Sequence, residues 1–65
     1  MIHIGIIQEP ETVTAVNVSE YHGRDSVRIS QFADLDGRET VVELWSLDAV
    51  KSLIVMLTLA KDYLE

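Results

Sequence analysis

Cysteine is absent from this chain, which excludes disulfides and thiolate zinc sites together. That absence matters at 65 residues. A domain of this size buries only about 60% of the surface its unfolded chain exposes, so it usually leans on a disulfide, a metal or a partner. Oligomerisation is the aid the composition leaves most open. Missing cysteine also fits a reducing compartment, and a cytoplasmic location is the expectation.

Basic residues are few as well. Five Lys and Arg stand against eleven Asp and Glu, a formal charge of −6. Nucleic-acid binding needs clustered cations to neutralise phosphates, so no nucleic-acid partner is expected. A basic protein partner is electrostatically favoured over an acidic one. The longest apolar run, 53–60, is bracketed by Lys51 and Lys61 and falls well short of the ~20 residues of a membrane span. Segment 1–7 is short, alternating and without a basic leader, so neither a signal peptide nor a membrane association is expected.

A hydrophobic content of 48% with 25% charged residues is that of an ordinary globular domain. Ile2, Ile4 and Ile6 alternate with His3 and Gly5, a strand pattern. The lone proline, Pro10, interrupts it. Segment 12–21 is rich in β-branched residues. Gly23-Arg24 reads as a two-residue turn with glycine first, and Asp36-Gly37 as a turn needing positive φ at both positions. The expected elements are strands at about 2–7, 12–21, 26–35 and 39–45, then a helix at about 47–64, in a single domain 1–65. The fold class is α+β: a four-stranded antiparallel meander with one C-terminal helix packed on one face, ββββα.

Those turns imply a register. Val18 falls opposite Ile29, Val16 opposite Gln31, Ile29 opposite Leu44 and Ala33 opposite Thr40. A loop over 8–12 sets Ile2 beside Val18 and Ile4 beside Val16. One face then collects Ile2, Ile4 and Ile6 with Val16, Val18, Val27, Ile29, Ala33, Leu35, Val42 and Leu44. Gln31 is the exception and suggests a bulge.

Ser46 is placed to cap the helix, Trp45 and Val50 have the spacing of a hydrophobic staple, and Asp48 and Lys61 suit the two ends of the helix dipole. The apolar arc of this helix spans roughly 220°, about twice the stripe needed to cover one sheet. It resolves into two rows. Val50, Leu53, Leu57, Ala60 and Leu64 are expected to lie on the sheet. Ala49, Ser52, Met56, Leu59 and Tyr63 form a second seam, expected to meet a helix of a second copy in a homo-oligomer, most simply a dimer. On the outer sheet face, Phe32, Val41 and Trp45 with Arg28 opposite Trp45 form a candidate partner patch.

No chemical site is expected: no catalytic residue, cofactor site or metal site. His3, Asn17, Ser30 and Glu43 share a row, but His3 and Glu43 lie on opposite edge strands, about 14 Å apart at ~4.8 Å per strand. A base and its orienting acid need hydrogen-bond contact. His22 and Asp25 offer two ligands where zinc takes three or more from protein. Asp34-Leu35-Asp36-Gly37 places its glycine too early for a calcium loop, with Trp45 where the bidentate glutamate would stand.

Phe32-Ala33-Asp34-Leu35-Asp36-Gly37, followed by Ser46-Leu47-Asp48-Ala49-Val50, resembles the Phe-Pro-Asp-Leu-Pro-Gly stretch and helix start of HicB-type antitoxins. The likeness covers a third of the chain at most, lacks the prolines, spaces the two pieces further apart and includes no DNA-binding segment. It implies an acidic, oligomeric neutraliser of a small basic ribonuclease toxin. The expectation from the residues themselves is broader: a small acidic non-enzymatic protein-interaction module that self-associates through its helix and binds or inhibits a macromolecular partner, or else a structural subunit whose only partner is itself.

Overall fold

The computed structural model describes residues 1–33 and 37–64. Four strands, β1 (Ile2–Gln8), β2 (Thr12–Tyr21), β3 (Arg24–Ala33) and β4 (Glu39–Leu44), form one antiparallel sheet in chain order, followed by helix α1 (Leu47–Lys61). The ββββα arrangement expected from the alternation and the turn residues is the one found.

Both hairpins close differently from the expected register. Tyr21 pairs with Arg24, so the first turn is His22-Gly23, not Gly23-Arg24. His22 has φ 51 and Gly23 φ 75, the two positive values of a type I′ turn. Histidine is one of the few non-glycine residues enriched there, and this turn matches the right-handed twist of the strands. Val18 consequently pairs with Val27, and Val16 with Ile29. In the second hairpin Ile29 pairs with Val42 and Val27 with Leu44. The Ala33 amide donates to the Arg38 carbonyl at 3.3 Å, and five residues, 34–38, connect β3 to β4 where a two-residue turn was expected. Gly37 has the expected positive φ, 65°, and its amide donates to the Ala33 carbonyl at 3.0 Å. The remainder of that turn, Asp36 included, lies outside the described residues, as does Leu35 of the expected core face.

The β1–β2 connection is also tighter than the expected loop. The Glu9 amide donates to the Thr12 carbonyl at 2.9 Å across Pro10-Glu11, with proline at the turn position its fixed φ suits. The bulge lies in β1 and not at Gln31. His3 pairs with Asn17 and Gly5 with Val16, leaving Ile4 as the extra residue. Ile2 keeps its expected place beside Val18, but Ile6 now pairs with Ala15 on the opposite face and Ile7 pairs with Thr14. Gln31 needs no bulge, because its side-chain amide donates to Thr14 Oγ1 at 3.1 Å on the paired residue.

The helix starts as its sequence dictates. Ser46 adopts extended backbone and its Oγ accepts the Ala49 amide at 3.0 Å. The last helical residue is Lys61; Tyr63 and Leu64 lie beyond it, their amides donating hydrogen bonds to the Ala60 and Lys61 carbonyls.

No apolar side chain among the described residues is fully buried. Of the helix, Ala49, Val50 and Leu53 are half-buried and the rest is exposed. The first turns of α1 meet the sheet at a corner, where Val50, Leu47 and Trp45 share a hollow with Val18, Val27 and Leu44. Beyond Leu53 the helix leaves the sheet. The chain exposes 5501 Å², whereas a folded monomer of 7.3 kDa exposes about 4,200 Å². Its radius of gyration is 13.2 Å, against about 10.7 Å for a compact domain of this length.

Candidate functional site

The two helical rows do not divide as expected. Val50 lines the hollow at the sheet corner and Leu53 is half-buried, but Leu57 is 59% exposed and Ala60 and Leu64 are open as well. The first row therefore does not lie on the sheet along its length. In the second row Ala49 is half-buried, Ser52 is open, Met56 is 58% exposed, and Leu59 and Tyr63 are more open still. Ile54 and Val55, assigned to neither row, are also exposed. Ile54 lies at one edge of the roughly 220° apolar arc, which was the signal for it, whereas Val55 lies outside that arc.

One sheet face is apolar and nearly uncharged. Val16, Val18, Val27, Ile29, Val42 and Leu44 share it with Ile2 and Ile7 at the β1 edge, and Thr12, Thr14, Gln31 and Thr40 supply the polar groups of its far end. Its two acids, Glu20 and Asp25, face each other beside the first hairpin. Val42 is 49% exposed and the central valines are only half-buried. The two-residue shifts in the hairpins kept these residues on one face, because side chains alternate with period two.

The other face is polar and its row has changed. His3, Asn17, Arg28 and Glu43 now align, with Arg28 in place of Ser30. His3 Nδ1 donates to Asn17 Oδ1 at 2.8 Å. Arg28 lies 3.9 Å from Glu43 and 3.7 Å from Glu39. Its expected stacking on Trp45 is not made. Arg24 takes that role, its guanidinium 5.2 Å from the centre of the Trp45 ring, a cation–π distance. The candidate patch is thereby split. Phe32 and Val41 are diagonal neighbours near one end, because Phe32 pairs with Glu39 and Val41 with Ser30. Trp45 lies four residues further along, about 13 Å, with the Arg28–Glu43 pair between. Beside Trp45, a shallow hollow is lined by Met1, Ser19, Ser26 and Tyr21. Ser26 is 4% exposed, and the Ser19 hydroxyl is buried without a hydrogen-bond partner.

His22 sits edge-on to Tyr21, ring centres 4.2 Å apart. Among the described residues no three His, Asp or Glu side chains gather to hold a metal, and no helix is long and apolar enough to cross a membrane. Asp34 and Asp36 lie outside the described residues. No family model matches the chain, and no curated protein or solved structure does either.

Proposed function

We propose that this chain is a small acidic, non-enzymatic protein-interaction module whose working form is an oligomer, most simply a dimer, joined through its C-terminal helix. One observation carries the reading: no apolar residue among those described is buried, although nearly half of the sequence is apolar. Burial of apolar surface is the main term that offsets the conformational entropy of folding, and a chain that leaves this much open gains it from a partner. The seam Ala49, Ser52, Met56, Leu59 and Tyr63 belongs to that contact. The charge of −6 favours a basic protein as the macromolecule bound or inhibited, and Phe32 with Val41 on the polar face is the patch to meet it. Missing cysteine supports a cytoplasmic, reducing setting.

Sedimentation equilibrium tests the self-association. A wild-type chain that stays monomeric at high micromolar concentration refutes it. Affinity capture from the native host tests the other half. A basic protein recovered in stoichiometric amount and released by salt supports the interaction module, and recovery of the chain alone makes it a structural subunit. His3→Gln and His22→Gln leave the host phenotype intact; loss of phenotype in a variant that still folds would overturn the non-enzymatic reading.

A further inference from the structure

We infer that the apolar sheet face is covered by the helix of a second copy, the two chains exchanging helices across a two-fold axis. This rests on the self-association proposed above and assigns its geometry. The chain's own helix does not cover that face, since beyond Leu53 every described helical residue is exposed. Only Trp45 and Ser46 join β4 to α1, and both are held, Trp45 beneath Arg24 and Ser46 as the cap on the Ala49 amide. No glycine or proline interrupts Leu47–Lys61, so the direction set by the first turn persists to the last. Leu57 and the apolar residues after it are accordingly left open.

Area identifies the occupant as a second copy. Each chain exposes about 1,300 Å² beyond what a folded monomer of its mass exposes. Two chains closing on each other remove about 2,600 Å², within the ~2,000–5,000 Å² range of obligate homodimers. Size and charge agree. The free stretch 54–61 is about 12 Å long at 1.5 Å per residue, and the sheet is about 14 Å wide between its edge strands. That stretch carries no charge before Lys61, and Val16, Val18, Val27, Ile29, Val42 and Leu44 carry none. Two chains of charge −6 can thus meet without burying a carboxylate. A two-fold axis repeats the contact, helix on sheet and sheet on helix, and closes the assembly.

The cysteine-free sequence permits a direct test. Ile29→Cys marks the centre of the sheet face and Leu57→Cys the free half of the helix. The two variants are mixed in denaturant, refolded together and treated with a short bis-maleimide. The expected product is a cross-linked pair containing one chain of each, in several-fold excess over either self-pair. Val42→Cys replaces Ile29→Cys as the sheet probe where the latter does not refold, since Val42 is the more exposed. Predominant Leu57-to-Leu57 linkage would place helix against helix, overturning the exchange but leaving self-association intact. Linkage within one chain of the double variant, with none between the two single variants, would show the helix folded back on its own sheet and overturn the exchange. A wild-type protein that sediments as a monomer removes the exchange and the self-association together.

Discussion

Dilution tests the proposed sharing of a core between chains, and the size of the expected effect follows from the structure. Surface about 1,300 Å² in excess of a folded monomer puts the proposed contact in the obligate class, in which folding and association are one transition. Each tenfold dilution then weakens a dimer by about 1.4 kcal/mol. Unfolding entropy is about 2.1 cal/mol/K per residue, or about 0.27 kcal/mol/K for two chains of 65 residues. The melting temperature should therefore fall by about 5 °C for every tenfold dilution. A tetramer has three associations among four chains, and its slope rises to about 7–8 °C per decade, so the same experiment reports the oligomer number. The assay is far-UV circular dichroism between about 1 and 100 μM, path length adjusted to keep the signal constant. A cooperative transition with the same midpoint across that range would refute the reasoning, because a self-sufficient monomer has no concentration in its equilibrium.

Met56→Glu should dissociate the oligomer in light scattering at matched concentration, because a carboxylate without a partner in the contact costs several kcal/mol; an unchanged mass moves the contact away from the seam. Gly37→Val should lower stability to urea by about 1–3 kcal/mol. Nothing lies within 4 Å of a Cβ added there, so the cost comes from φ 65 alone and not from a clash; an unchanged midpoint would refute the turn. His22→Asn should raise the urea midpoint, because Asn-Gly is the preferred type I′ pair, and a lower midpoint would show that the Tyr21–His22 ring contact outweighs the turn preference.

The element order was legible because the devices that set it are local: alternation, Pro10, the glycines of the turns and the Ser46 cap. Pairing was less legible, for a definite reason. Period-two alternation constrains which face a residue occupies, and a two-residue slip preserves every face, so Val18 opposite Val27 and Val18 opposite Ile29 look alike in sequence. Only the turn discriminates, and it used a histidine at positive φ. The cation–π pair moved from Arg28 to Arg24 as a direct result. That the helix carries more apolar surface than its own sheet covers was readable in its wide apolar arc. That the sheet face is left open too was not, because the direction of α1 depends on the geometry of Trp45 and Ser46, which no periodicity encodes.

The bulge in β1 bears on how this chain can vary. Ile4 is the only residue of the strand without a ladder partner, and on either side of it His3 faces Asn17 and Gly5 faces Val16, neighbours in β2. Removing Ile4 would close the gap and leave the pairing of Ile6, Ile7 and Gln8 unchanged, with Ile2 and Ile7 on the same face as before. Removing Gly5 would do the same, with Ile4 taking the place opposite Val16. The bulge is thus the place where this strand can lose one residue without turning Ile7 to the polar face.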